Sequence, residues 1–461
     1  MKEEFSIYKE RTEEAKKLFS PSFCFAKWYH SNIYFQTGET HSCYHPAPHP
    51  IDVKSIKKNP ATLHNTDEKL KERHQMLNGV RPKGCQYCWN IEDLEKDLIS
   101  DRHIRTGSLY SAERIAELKK APLDPNLVPD YIEISFSNKC NFKCGYCHPK
   151  ASSRFYKEIE EFGPYTTSKN HRCDIDWFKI YHEEDNPYLE AWWKWWPALS
   201  KKLAILRLTG GEPLLQNSTY KLINYISEFP NPNLEFNVNS NMGSANSIIA
   251  KFCDSINALI ENQKIKKFKL FTSLDTWGPQ AEYIRTGLDL LVFENNIEYF
   301  LKNTTQPLTL MVTFNIFSIP NFTFLLKKIL EWRTKYSGAG TDYQDFHRIR
   351  FDISYLKEPL QYDINILPKD VFLPMLESSL DFMKSEIDDQ RKDKFTFIEY
   401  QKLLRTYEYM KNTVYDNAKI KEGRSDFFNF FTEYDKRRKT DLLHAFPELI
   451  DFWELCKGAR A

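Results

Sequence analysis

The sequence predicts an α/β protein built on a parallel sheet of six strands. Three observations carry this reading: six short apolar runs, helical stretches between them, and a cysteine-bearing loop directly after the first run. The runs are YIEISFS (131–137), LAILRLTG (203–210), LEFNVNS (234–240), KFKLFTSLD (267–275), LTLMVTF (308–314) and RIRFDISYL (348–356). Strands that alternate with helices form βαβ units, whose strands lie parallel. Six strands fall short of a closed eight-stranded barrel, so a partial barrel and an open sheet both fit. In either, ligands sit at the C-terminal ends of the strands.

The flanks read differently. Residues 1–20 have the pattern of one amphipathic helix, and residues 21–100 are loop-rich with four cysteines and many His and Pro. A polar helix is expected near 91–120. Residues 1–120 thus form a small N-terminal cysteine-rich domain, in which bound metal would supply the stability that a small core lacks. APLDPNLVPD (121–130), with three prolines, reads as the entry to a second domain at 121–357. The remainder, 358–461, includes VFLPMLESSLDFM and FIEYQKLLRTYEYM, where apolar residues recur every three or four positions. That spacing predicts a helical C-terminal extension. The long gap between the first two runs contains AWWKWWP (191–197). It reads as a helix packing its tryptophans on the sheet, or alternatively as a wall facing substrate.

Of the 461 residues, 64 are basic and 63 acidic, giving a net charge of +1. This balance makes no case for a nucleic-acid or membrane partner. No stretch approaches the roughly 18 to 20 apolar residues of a membrane span. The N-terminal MKEEFSIYKERTEEAKKLF is charged and carries no apolar signal region. The expected location is the cytoplasm, where thiols stay reduced. Ten cysteines in that setting point to metal binding or catalysis, and seven of them fall into two groups.

The first group is CNFKCGYC, in which Cys140, Cys144 and Cys147 follow the spacing C-x3-C-x2-C at the end of the first strand. Three thiolates in one loop suit a single centre. Zinc would want a fourth protein ligand or water. A four-iron cluster would keep one iron open to an outside ligand. Spacing alone leaves both open.

C-x3-C-x2-C with an aromatic residue, Tyr146, before the last cysteine resembles the signature of the radical S-adenosylmethionine enzymes. In that family the cofactor's methionine amine and carboxylate bind the open iron. One electron from the cluster cleaves the sulfonium to a 5′-deoxyadenosyl radical, which abstracts a substrate hydrogen. The resemblance covers about 131–356, roughly half of the chain, and implies a partial (β/α)6 TIM-like barrel. LTGGEP (208–213) follows the second strand, as the family's GGE motif does. Its two glycines allow close backbone approach. The resemblance makes Gly210, Gly211 and Glu212 cofactor contacts, with Glu212 near the methionine ammonium. NVNSNM (237–242) and TSLDTWG (272–278) end the third and fourth strands. They offer Ser240 and Ser273 as further contacts, and Asn315 after the fifth strand is another. Loop capping is the competing role for these polar strand ends.

The second group is Cys24, Cys43, Cys85 and Cys88, spaced C-x13-G-x4-C through Gly38 and completed by GCQYC. By ligand count, zinc and an iron–sulfur cluster fit equally. The pattern resembles the auxiliary-cluster module of the SPASM and twitch subfamilies, placed before the barrel instead of after it. The resemblance implies one auxiliary cluster of 4Fe–4S type ligated by all four cysteines. His41, His45 and His49 flank Cys43 and are read as surrounding groups, not ligands. Cys253 lies on an apolar helical face and reads as core. Cys456 sits in a terminal helix. Cys173, in HRCDIDW, is a candidate hydrogen donor to a substrate radical.

These readings converge on an oxidoreductase-type radical enzyme using a 4Fe–4S cluster, S-adenosylmethionine and an auxiliary cluster. The resemblance favours oxidation or cross-linking of a peptide or protein. Dehydrogenation or epimerisation of a small sugar or nucleotide is the alternative within the class. A zinc-stabilised, non-catalytic binding protein is the alternative outside it. A reductant such as flavodoxin or ferredoxin is the expected partner.

Overall fold

The computed structural model describes residues 2–94, 98–169, 175–337 and 347–459. Its strands are β1 (His30–Tyr34), β2 (Glu39–His41), β3 (His49–Pro50), β4 (Tyr131–Ser135), β5 (Ile205–Thr209), β6 (Asn231–Ser240), β7 (Ile265–Ser273), β8 (Leu308–Phe314) and β9 (Ile349–Tyr355). Among the described residues they form one sheet in the order β3-β2-β1-β4-β5-β6-β7-β8-β9. The six expected strands are β4 to β9. They lie side by side in chain order, every neighbouring pair parallel. The two ends of the order do not pair, so the sheet is open.

β1 was not expected. It pairs parallel to β4 over its whole length, His30 opposite Tyr131 and Tyr34 opposite Ser135, and antiparallel to β2. The sheet therefore runs across residue 120. β1 is buried at four of its five positions and is flanked by β2 on one edge and β4 on the other. A strand wrapped this way shows no alternation, and its sequence HSNIY holds one large aliphatic residue. The expected polar helix at 91–120 also divides, into Asp101–Leu109 and Ala112–Lys120. Ser111 makes the break, its hydroxyl accepting the Arg114 N–H at 3.2 Å and starting the second helix as its cap.

From β4 to β7 the large apolar residues recur at every second position. Ile132 and Ile134, Leu206 and Leu208, Phe236 and Val238, and Phe268 and Leu270 are buried at 1% exposure or less. The residues between them face the other way and are polar. Arg207 lies 3.8 Å from Glu133 and donates to Asn239 at 2.9 Å, while Glu235 pairs with Lys267 at 2.7 Å and Lys269 at 3.1 Å. Parallel strands covered by helices on both faces read as unbroken apolar runs. The alternation here leaves one face of the sheet as a ladder of half-buried charges.

The helix Pro187–Leu199 carries the tryptophan block. Trp192 and Trp196 are fully buried and Trp195 is 6% exposed, so the block is core. The C-terminal extension is helical, as its periodicity predicts. Its helix Asn417–Arg438 returns to the cysteine loop. Arg438 donates to the Lys143 carbonyl at 2.5 Å and to both Glu158 oxygens at 2.9 and 3.1 Å. Tyr434 donates to the Tyr283 carbonyl at 2.5 Å. Among the described residues, no helix is long and apolar enough to cross a membrane.

Candidate functional site

The cysteine loop begins at Cys140, five residues after β4 ends at Ser135, and is pinned on both sides. The Lys143 N–H donates to the Thr286 carbonyl at 2.9 Å and the Gly145 N–H to the Ile284 carbonyl at 3.1 Å. Cys147 N–H closes a turn on the Cys144 carbonyl at 3.0 Å. A Cβ on Gly145 would stand 2.1 Å from the Tyr362 hydroxyl. Three N–H groups are aimed at sulfur: Phe142 N at 3.4 Å and Asn241 Nδ2 at 3.8 Å from Cys140 Sγ, and Arg285 Nη1 at 3.9 Å from Cys144 Sγ. The Cys147 thiol faces the His148 carbonyl at 3.8 Å. Burial pushes all three thiols above their ordinary value. Metal coordination deprotonates such thiols, and N–H donors then stabilise the thiolates.

The GGE motif is fastened directly to this loop. Gly211 N–H donates to the Ser137 carbonyl at 3.2 Å and Glu212 N–H to the Lys139 carbonyl at 2.7 Å. Gly210 holds φ +100°, a conformation that favours glycine. Glu212 is fully buried. One carboxylate oxygen accepts Leu214 N–H at 3.0 Å and the Ser240 hydroxyl at 2.8 Å; the other accepts Asn241 N–H at 2.6 Å. Burial raises its pKa to about 7 against the pull of these donors. The carboxylate thus joins the ends of β5 and β6 beside Cys140.

The remaining expected contacts divide. Ser240 spends its hydroxyl on Glu212 and on the Met242 N–H. Asn315 is fully buried and caps the turn after β8, its side chain accepting Phe317 N–H at 3.0 Å and donating to the Thr313 carbonyl at 2.7 Å. Ser273 is half-buried at the end of β7. Tyr146 points inward, its hydroxyl donating to Asp275 at 2.6 Å. Sequence reasoning did not single out Asn241, Asp275 or Arg285. The first two lie inside the quoted strand ends NVNSNM and TSLDTWG, whereas Arg285 lies ten residues beyond Asp275 with no pattern to mark it.

The upstream cysteines come together as well. Cys24, Cys43, Cys85 and Cys88 line one pocket, with Lys27, Arg102 and Arg105 on its walls. Burial opposes charge on Lys27, yet Cys85 and Glu72 hold its ammonium above the ordinary value. Arg102 pairs with Glu92 and donates to the Phe23 carbonyl at 2.9 Å. Four thiols ringed by cations suit an anionic thiolate-ligated centre by charge and donor chemistry. Among the described residues, no three His, Cys, Asp or Glu side chains are gathered tightly enough to hold a single metal ion.

The histidines turn to other partners. His41 bonds the Cys43 carbonyl and the Tyr34 hydroxyl, His45 pairs with Asp101 at 2.7 Å, and His49 meets Thr66 at 2.8 Å. Cys253 and Cys456 are fully buried. Cys173 lies outside the described residues.

Fold and site define an α/β protein with an open parallel sheet, a three-cysteine loop at the strand ends and a four-cysteine pocket upstream. Two curated proteins are similar to it in sequence. The GTP 3′,8-cyclase of Sulfurimonas denitrificans is 24% identical over 164 residues, which is 36% of this chain and 40% of that protein. The GTP 3′,8-cyclase of Campylobacter lari is 29% identical over 102 residues, 22% of this chain and 24% of that protein. The chain thus matches well under half the length of either relative. Among solved structures, Streptococcus suis SuiB bound to S-adenosylmethionine aligns at 13% identity and TM-score 0.32, covering 80% of this chain and 69% of that one. The anSMEcpe structure with bound S-adenosylmethionine aligns at 15% identity and TM-score 0.33, covering 70% of this chain and 99% of that one. No protein-family model matches the chain.

Proposed function

We propose that the chain is a radical S-adenosylmethionine enzyme with one auxiliary iron–sulfur cluster. The observation that carries the reading is the direct fastening of the GGE backbone onto a three-thiol loop at the strand ends, through Gly211 and Glu212 N–H groups. The sequence similarity to the two cyclases supports the superfamily assignment. Cys140, Cys144 and Cys147 would hold a 4Fe–4S cluster, and Cys24, Cys43, Cys85 and Cys88 the auxiliary one. When bound there, the first cluster would supply the electron for reductive cleavage of S-adenosylmethionine.

The chain's own residues supply position and surroundings. Phe142, Asn241 and Arg285 direct N–H groups at the ligating sulfurs. Glu212 locks the β5 and β6 ends beside the loop, and Gly210 and Gly211 keep side chains out of the space next to it. The polar face of the sheet, with Glu133, Arg207, Glu235 and Lys269, offers hydrogen-bonding groups to a polar substrate. Lys27, Arg102 and Arg105 would balance the negative charge of the auxiliary centre.

On this reading the substrate is a peptide or protein that is oxidised or cross-linked, with the auxiliary cluster taking up an electron. The similarity to two enzymes named GTP 3′,8-cyclases favours a second reading, a small nucleotide. A flavodoxin or ferredoxin would serve as reductant. Iron and acid-labile sulfide assays test the two-cluster reading. Anaerobically reconstituted protein should hold about eight irons, and a variant with Cys24, Cys43, Cys85 and Cys88 changed to alanine about four. Two zinc ions and no iron in anaerobically isolated protein would overturn it.

A further inference from the structure

We propose that Arg285 is a positioning residue that sets the reduction potential of the cluster held by the three-cysteine loop, by presenting a charged N–H to the Cys144 sulfur. This rests on the functional reading above. The geometry of the guanidinium leaves it one direction to point. Its Nε and Nη2 each donate to Asp275 at 3.0 Å, a two-pronged pairing that fixes the plane of the group. The remaining nitrogen, Nη1, is thereby turned to Cys144 Sγ at 3.9 Å.

Asp275 cannot swing to release it. The carboxylate is 1% exposed and also accepts the Tyr146 hydroxyl at 2.6 Å and the Thr313 N–H at 3.0 Å. The last of these ties it to β8, so the arginine is referenced to the sheet itself. The Tyr146 ring lies 5.6 Å from the guanidinium carbon, packing against a second side of the group. Arg285 is 6% exposed, so water screens the interaction little.

The three sulfurs are not treated alike. Cys140 receives N–H groups from neutral donors, Phe142 and Asn241. Cys147 faces a carbonyl. Among the described residues, Cys144 is the thiol of this loop met by a charged donor. Hydrogen bonds to cluster sulfurs and nearby positive charge stabilise the more negative, reduced state, and so raise the potential. Removing the charged donor lowers it. A purely structural Arg285, holding Asp275 to the loop, would leave the potential of an intact cluster where it was.

The test is an EPR-monitored redox titration of fully reconstituted wild-type, Arg285→Lys and Arg285→Gln proteins. The relevant cluster is identified as the one whose signal changes when S-adenosylmethionine is added. At matched iron content, Arg285→Gln should shift its reduction equilibrium at least about tenfold toward the oxidised form, about 59 mV for one electron, and Arg285→Lys, which keeps the charge but not the two-pronged pairing, by less. The auxiliary signal should stay in place. An unmoved midpoint in iron-replete Arg285→Gln protein overturns the proposal. If the variants do not retain iron, wild-type protein labelled with ¹⁵N in the arginine guanidinium decides it by pulsed EPR. A nitrogen hyperfine coupling to the reduced cluster is expected, and its absence overturns the proposal. Wild-type protein that assembles no cluster at all would instead count against the functional reading.

Discussion

Changing Cys140, Cys144 and Cys147 together to alanine is expected to remove about half of the bound iron and to abolish cleavage of S-adenosylmethionine. The three thiols share one short loop, pinned to the Ile284–Thr286 segment by backbone hydrogen bonds that do not involve sulfur. Arg438 holds the same loop from behind through the Lys143 carbonyl and Glu158. The scaffold should therefore survive loss of the ligands. Circular dichroism of the variant should match wild type, while the iron content halves and 5′-deoxyadenosine disappears. Retained cleavage in the triple variant would contradict the assignment of these residues. A loss of all iron would show that the two cysteine groups do not act as separate sites.

Gly211→Ala is the second large effect. A Cβ at this position would stand 2.2 Å from the Lys139 carbonyl oxygen and 2.8 Å from the Asn138 carbonyl carbon. Both neighbours are backbone, so no side-chain rotation relieves the overlap. The chain must instead push Asn138 and Lys139 away, and Cys140 is the next residue. Overpacking of this kind costs about 3 kcal/mol. It also loosens the two N–H···O bonds by which Gly211 and Glu212 hold the loop entry. The expected result is a lower urea midpoint with an unchanged slope, together with weaker iron retention at the first site. A midpoint and iron content equal to wild type would mean that the motif and the loop do not pack as described.

How much of this was legible beforehand differs from element to element. β4 to β9 were readable because each is a short β-branched or aromatic run set between helices. β1 was not, since HSNIY is buried through its neighbours and not through its own hydrophobicity. The thiols of both groups stood out by spacing. Their surroundings did not: the contacts of Lys27 with Glu72, of Arg285 with Cys144 and of Arg438 with Glu158 span 45, 141 and 280 residues. Local pattern carries no information about such pairings. Ser240 and Asn315 were visible as polar strand ends, but only the structure gives their partners, Glu212 for one and a turn after β8 for the other. Capping, the competing role considered for both, accounts for Asn315.

The C-terminal extension shows the same division. Its helical period was plain, yet its contribution to the site rests on Tyr434 and Arg438, two residues on one turn of the helix Asn417–Arg438 that reach the cysteine loop and its anchor. The helical extension is thus also part of the wall behind the cysteine loop.

On the proposed function, the three-cysteine loop and the GGE motif together direct radical cleavage of S-adenosylmethionine. The measurement that tests this most directly is chromatography with mass detection of the nucleoside products. Anaerobically reconstituted wild-type protein is incubated with dithionite and S-adenosylmethionine. Formation of 5′-deoxyadenosine that depends on both the protein and the reductant is the result predicted. Iron-replete protein that leaves S-adenosylmethionine intact under these conditions would contradict the account.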